Sequence, residues 1–357
     1  MKVIFFTPYP IGKAGSQRFR FEQYFNAMRN SNIDFLVKPF LSDKTWDIIY
    51  SKGNLWKKII GITKGFVLRL VSLFQLYKYD FVFIHRECAP IGPPIIEWVI
   101  FKVWNKKVIY DFDDAIWLPN FSESNRYFSF LKRYSNISYL CKWSHRVSCG
   151  NGYLANYAKQ YSKNVIVNPT TIDTECLHNK EKKLNENFGK LTIGWTGSHS
   201  TERYLDEIIP VLSELEMEYD FRFLVISDSN PNLSLNCFEY KKWSKSTEID
   251  SLMEIDIGVM PLSNDLWANG KCGFKALQYM SLGIPAIVSS VKVNKEIVDN
   301  GVNGFVCSNH KEWKEKLALL LSSKETLIQL GSEARRKIVD NYSVTSNTNN
   351  FLSLFKL

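Results

Sequence analysis

Two lysines, Lys271 and Lys275, open a segment whose pattern predicts a helix: Asn269-Gly270-Lys271-Cys272-Gly273-Phe274-Lys275-Ala276-Leu277-Gln278-Tyr279-Met280. Cations in a helix's first turn face the positive end of its macrodipole. That is unfavourable unless an anion lies between them and the exposed backbone N–H groups, and a phosphate is such an anion. Gly273 lets the backbone approach a ligand closely, while Gly283 and Pro285 stop the helix. The apolar run Ala286 to Val288 then predicts a buried strand, an order of elements that puts a ligand in the crevice of a doubly wound sheet. Two solvated lysines ahead of an ordinary helix would give the same charge pattern, so charge placement alone leaves both readings open.

Three other clusters carry possible chemistry. Gly194-Trp195-Thr196-Gly197-Ser198-His199-Ser200-Thr201 joins a predicted strand to a helix through small and hydroxyl residues, a turn that presents N–H groups and hydroxyls to an anion. The same turn is explained if Ser200 and Thr201 only cap the helix. Tyr110-Asp111-Phe112-Asp113-Asp114 follows another predicted strand. Three carboxylates there repel one another and need an arginine, a metal or a raised pKa to compensate; an acidic turn capped by Asp114 is the plain alternative. Gly15-Ser16-Gln17-Arg18-Phe19-Arg20 offers two arginines to a phosphate or an acidic group, and His85-Arg86-Glu87 closes a third strand.

The stretch Lys275 to Val288 resembles the nucleotide-sugar signature of the large retaining glycosyltransferase family known as family 4. The resemblance implies that amides near Gly273 and Phe274 meet a donor pyrophosphate and that the following helix holds the ribose. The family's two glutamates, seven residues apart, align with Gly270 and Gln278. A neutral Gln278 amide still bonds ribose hydroxyls, but at about 1 kcal/mol against roughly 1.5–3 for a charge-assisted bond, which shifts weight to Lys271 and Lys275. After Gly197 the family has an arginine and, some five residues on, a lysine, both near the pyrophosphate; here Ser198 and Arg203 stand there, and Arg203 is carried over as a phosphate ligand with Gly197 and Ser198 as weaker donor contacts. The loop with Gly15, Arg18 and Arg20 resembles the family's first loop, on the acceptor side. Asp113 aligns where many relatives have a histidine near the reacting carbon, with Asp111 and His85 beside it as catalytic candidates. Glu296, in Glu296-Ile297-Val298-Asp299-Asn300-Gly301, is placed near the ribose.

These residues need a scaffold. Predicted strands at Lys2–Phe6, Phe81–Ile84, Lys107–Phe112, Arg146–Ser148 and Val165–Val167, alternating with helices, make an α/β unit; a helix is expected from Gln17 to Asn30. A second series runs through Leu191–Trp195, Phe221–Ile226, Ile255–Met260, Ala286–Val288 and Phe305–Val306. The polar stretch between them reads as a linker. The expected domains are 1–175 with a returning helix at 343–357, a linker at 176–189, and a nucleotide-sugar-binding domain at 190–342. Two facing Rossmann-like domains of this kind resemble the glycosyltransferase B (GT-B) fold. No repeat of fixed period is present.

With 357 residues, of which 45% are hydrophobic and 23% charged, the chain suits two domains of ordinary size and not a disordered or fibrous protein. The seven cysteines show no metal-ligand spacing and are expected as reduced thiols. Without a signal-like start, the expected location is cytoplasmic. A net charge of +9 calls for an anionic partner. No zinc finger, helix-turn-helix or ribonucleoprotein pattern points to nucleic acid. The basic, apolar stretch from Trp56 to Val71 fits two placements: an amphipathic helix packed on its own sheet, or one lying on the inner face of a membrane.

The reading that joins these features is a transferase that moves a sugar from a nucleoside-diphosphate sugar to a hydroxyl on a sugar or lipid-linked acceptor, with retention, in bacterial surface polysaccharide assembly. It uses a nucleotide sugar as co-substrate and needs no other cofactor and no metal. Asp111-Phe112-Asp113 also matches the aspartate-any-aspartate metal motif of the other major glycosyltransferase fold, but that fold has one nucleotide-binding domain. Two alternatives remain: a sugar-nucleotide epimerase of related fold, and a non-catalytic nucleotide-binding partner of another transferase.

Overall fold

A computed structural model of the chain describes residues 1–49, 51, 53–119, 133–183 and 189–356. The chain divides into two compact units, one of residues Met1–Thr170 with Asn347–Leu357, the other of Thr171–Ser346. Each is an α/β unit built on one parallel six-stranded sheet.

In the first unit the sheet order is β2-β1-β3-β4-β5-β6, with β1 Lys2–Thr7, β2 Asp34–Pro39, β3 Phe81–His85, β4 Lys107–Phe112, β5 Arg146–Cys149 and β6 Val165–Val167. The central strands β1, β3 and β4 are buried along almost their whole length, as continuous apolar runs must be when helices cover both faces of a parallel sheet. Phe5 and Phe83 pack at 4.7 Å between ring centroids, and Phe21 lies 5.4 Å from each. The chain end is part of this core. Phe351 stacks on Tyr24 at 4.3 Å, and Arg146 donates to the carbonyls of Ser353 and Leu354 at 2.9 and 2.8 Å.

The second unit has the order β12-β11-β10-β7-β8-β9, from β7 Leu191–Thr196, β8 Phe221–Ser227, β9 Phe238–Lys242, β10 Ile257–Met260, β11 Ala286–Ser289 and β12 Gly304–Cys307. Ile193, Trp195, Val225, Val259, Ile287 and Leu317 lie at its centre.

The structure differs from the sequence expectation in four places. The strands β2 and β9 were not anticipated; both are outermost and half-exposed, β2 with the short run Phe35–Val37 between Asp34 and Lys38, β9 with Glu239 and Lys241 among its residues. The helix expected from Gln17 to Asn30 is three short pieces, Gly15–Arg18, Glu22–Tyr24 and Phe25–Asn30. Phe19, Arg20 and Phe21 are all buried, and three consecutive side chains cannot share one stripe of a regular helix. The expected strand from Ile255 starts at Ile257. Finally, the break between units falls at 170/171 and 346/347, so the described part of the expected linker belongs to the second unit. Lys182 anchors it, donating to the carbonyls of Met253 and Ile255 at 2.9 and 2.7 Å and pairing with Asp256 at 2.6 Å. Residues 184–188 of that linker lie outside the described residues. Ile172 is tied to the same unit by backbone bonds with Tyr342 and Val344.

Candidate active site

In the second unit the helix Phe274–Ser281 is tied to the end of β7 by one hydrogen bond: the N–H of Thr196 donates to the Tyr279 hydroxyl at 2.8 Å. Lys275, four residues before Tyr279, shares that helix face and is thereby carried to the turn after β7. Its ammonium lies 3.4 Å from the Thr201 hydroxyl and 4.2 Å from the centroid of the Trp195 ring. Burial, with Lys271 adding like-charge repulsion, lowers the Lys275 pKa to about 7. Among the described residues no carboxylate forms an ion pair with this ammonium.

The turn is shaped to leave room there. A Cβ on Gly197 would fall 2.2 Å from the Trp195 ring and 2.8 Å from the Thr201 hydroxyl. The helix His199–Glu207 is capped by Ser198 and not by Ser200 or Thr201; Thr201, three positions on, completes a capping box by accepting from the Ser198 N–H at 3.3 Å while also meeting Lys275. Gly273 has φ +65°, a left-handed conformation, and a Cβ on it would sit 2.2 Å from Ile297 Cδ1. No side chain caps the helix at Gly273, and the Lys275 ammonium stands in its first turn. Lys271 lies over the Trp267 ring at 5.5 Å. Beside the turn of Gly273, Asn294 is fully buried and its Oδ1 has no hydrogen-bond partner.

Gln278 is buried one turn further along, and its amide donates to Glu248 Oε1 at 3.4 Å. Glu248 is a buried carboxylate that the sequence reading missed. Thirty positions away in the chain, it reads there as an ordinary acid in the first turn of the helix Glu248–Leu252. Arg203 lies with its guanidinium over Tyr204, 5.1 Å from the ring centroid, and is exposed. Glu296 is exposed on its helix, with its pKa raised by desolvation, and its carbonyl accepts from the Tyr342 hydroxyl.

In the first unit the carboxylate crowding after β4 is resolved by arginines. Asp111 is 1% exposed and accepts from Arg20, from Ser148 at 2.6 Å and from His85 Nδ1 at 2.8 Å. Burial alone would raise its pKa, but Arg20 and His85 outweigh that and hold it well below the usual carboxylate range. Arg20 also donates to the Asn168 carbonyl. Asp111, Arg20 and His85 were expected at the reacting carbon and on the acceptor side. In the structure all three are buried in a network that joins β3, β4 and β5. The physical reason is that a buried arginine and a buried aspartate compensate each other best in direct contact.

Asp113 stands at the rim of this network, bonded to Arg86 Nε at 2.8 Å, and Arg86 also reaches Asp114 at 2.6 Å. Arg86 adopts φ +59°, an uncommon conformation for a non-glycine residue. Asp111 and Asp113 therefore face different arginines. Arg18 lies against the Phe19 ring at 4.8 Å, and Gly15 is exposed at the start of its helix.

Residues 178–337 match the family model for glycosyl transferases group 1. Spore coat protein SA of Bacillus subtilis (strain 168) is 32% identical over 80 residues, which is 22% of this chain and 21% of that protein. The match thus spans about a fifth of the curated relative's length. Among solved structures, sucrose-phosphate synthase (tll1590) from Thermosynechococcus elongatus superposes with a TM-score of 0.72 at 12% identity, covering 99% of this chain and 98% of that one. Anabaena Alr3699/HepE in complex with UDP and glucose gives 0.66 at 13%, covering 100% and 99%. The fold is therefore that of GT-B glycosyltransferase structures, α/β with two parallel sheets.

Proposed function

We propose that this chain transfers a sugar from a nucleoside-diphosphate sugar to a hydroxyl acceptor, with retention at the anomeric carbon. One observation carries the reading: the Lys275 ammonium is held at a helix N-terminus, over Trp195, in a setting that disfavours its own charge. Such an arrangement gains most when an anion enters. A pyrophosphate there would meet the first-turn N–H groups near Gly273 and Phe274, the Ser198 and Thr201 hydroxyls, and Lys275 with Lys271 behind it. As the sugar–phosphate bond breaks, negative charge grows on the diphosphate, and fixed donors aimed at it lower the barrier. Gln278, backed by Glu248, is assigned to the ribose, with Glu296 nearer the entrance. Arg203 becomes a phosphate ligand only by leaving Tyr204.

The match to glycosyl transferases group 1 covers this unit and supports the assignment; the UDP and glucose bound by Anabaena HepE suggest the donor class. In the first unit Asp113, oriented by Arg86, is assigned to the acceptor or the transferring sugar, with Arg18 and Gly15 on the acceptor side.

The test is calorimetry with a panel of nucleotide sugars on the wild type and Lys275→Met. Diphosphate ligands should weaken by about 1.5–3 kcal/mol in the variant, the worth of a charge-assisted bond, while the nucleoside alone should be unaffected. Equal losses for diphosphate and nucleoside would remove Lys275 from the pyrophosphate site. Product analysis with and without acceptor then separates transfer from epimerisation, and donor turnover no faster than in buffer would identify a binding protein.

A further inference from the structure

We propose that the first unit docks on an anionic lipid surface through the outward face of the helix Leu55–Leu73. The helix is amphipathic in the reverse of the usual sense. Trp56, Ile60, Val67, Val71 and Phe74 recur at helical spacing on one stripe and are all exposed, Trp56 at 77% and Phe74 at 75%. The face turned to the protein is mostly small or polar, with Gly65, Arg69 and Ser72 buried and Leu73 added at the helix end. Gly65 lies so close to Phe40 that a Cβ would be 2.8 Å from its ring, and Ser72 bonds the Leu68 carbonyl. Arg69 is buried, donating to the carbonyls of Thr7 and Cys88 at 2.7 and 2.8 Å, with its guanidinium 4.5 Å from the Phe6 ring. The core beneath is completed by backbone contacts and an arginine, which leaves the apolar stripe unused within the unit.

Charge identifies the occupant. Segment 51–79 holds five lysines, Lys52, Lys57, Lys58, Lys64 and Lys78, and no aspartate or glutamate. Lys57, Lys64 and Lys78 are exposed. Two copies of this chain meeting through the stripe would bring their lysines together with no carboxylate between them, whereas anionic headgroups neutralise them. Aromatic residues stand at both ends, Trp56 at one and Phe74 with Tyr77 at the other, the side chains that settle best at a lipid–water boundary. Among the described residues no helix is long and apolar enough to cross a membrane. This helix would therefore lie in the plane of the surface.

The stripe also adjoins an apolar recess. Phe66 and Leu70 line a pocket of about 370 Å³ together with Ile91, Ile96 and Leu140, and Arg86 stands on its wall. Apolar surface thus continues from the helix toward the arginine that holds Asp113.

The experiment is co-sedimentation of the full chain with phosphatidylcholine vesicles, with and without phosphatidylglycerol. The chain should pellet with the anionic vesicles, less with neutral ones, and less as salt rises. Trp56→Glu and Val71→Glu should lower the bound fraction roughly tenfold or more without moving the melting temperature, since both side chains are solvated in the free protein. Lys57→Glu with Lys64→Glu should abolish the preference for phosphatidylglycerol. The proposal is overturned if the wild type stays in the supernatant with both vesicle types, or if the glutamate variants pellet as the wild type does. Sedimentation velocity showing a dimer that Trp56→Glu dissociates, with no vesicle binding, would assign the face to a second copy instead. No donor is present in this assay, so its outcome is independent of sugar transfer.

Discussion

The Lys275 ammonium lies 4.2 Å from the Trp195 ring centroid on β7 and 3.4 Å from the Thr201 hydroxyl in the segment after it, and among the described residues no carboxylate pairs with it. The ring face attracts the cation, yet too weakly to offset the loss of water, and the pKa falls to about 7.

That value sets a pH dependence for donor binding. An entering diphosphate favours the charged lysine and so raises its pKa. The free protein binds best when Lys275 is already protonated, below about pH 7, and affinity should decline by up to about tenfold per pH unit above it, until the bound-state pKa is reached. Calorimetry with a nucleotide sugar from pH 6 to pH 9 (working range roughly centred on the shifted value) checks this, because the sugar-linked diphosphate does not itself titrate there. Lys275→Met should flatten the profile; an unchanged slope in that variant would assign the dependence to another group.

Gly273→Ala should destabilise the second unit by about 1–2 kcal/mol from the left-handed backbone alone, with the Ile297 collision in addition. Urea denaturation measures it. Ile297→Val removes the colliding Cδ1, so the double variant should lose less than the two single losses added. Strict additivity would mean that the helix start shifts to accommodate the new methyl group.

Asp111→Asn should cost about 3–5 kcal/mol, because it leaves the Arg20 guanidinium buried without its partner charge. The sign with pH follows from the lowered pKa. A carboxylate depressed in the folded state contributes stability above its unfolded value, near 4, and that contribution is lost as pH falls through the folded value. Wild-type stability should therefore drop on acidification below about pH 4 by more than that of the asparagine variant, read from urea midpoints across that range.

Asp113→Asn tests the rim of the network. The substitution keeps the shape of the carboxylate and its place beside Arg86, but under the proposed assignment it removes a charge that would be felt most as the sugar ring becomes cationic. kcat should fall about 100-fold or more, some 2.7 kcal/mol, while donor affinity changes little. Near-normal turnover in a folded variant would sink the assignment, and loss of folding would leave Asp113 as a partner of Arg86 only.

Much of the architecture follows from local pattern. Central strands such as β1, with its run Val3–Phe6, are contiguous apolar runs, and a run of that kind is buried in a parallel sheet whatever lies around it. The start of the helix Phe274–Ser281 was legible for the same reason: Gly273, Lys275, Gly283 and Pro285 each act within a few residues, through backbone freedom, charge and chain termination. What the tertiary structure alone decided involves partners far apart in the chain. Arg20 and Asp111, 91 positions apart, read separately as site residues and prove to be one buried pair. Gln278 meets Glu248 across 30 positions, so a neutral side chain gains a carboxylate beside it that no local spacing announces. The helix Leu55–Leu73 shows an apolar stripe to any sequence reading, but periodicity cannot say which face turns inward. Packing against Phe40 and the carbonyls that Arg69 satisfies chose the face with Gly65, Arg69 and Ser72, and left the stripe with Trp56, Ile60 and Val67 exposed.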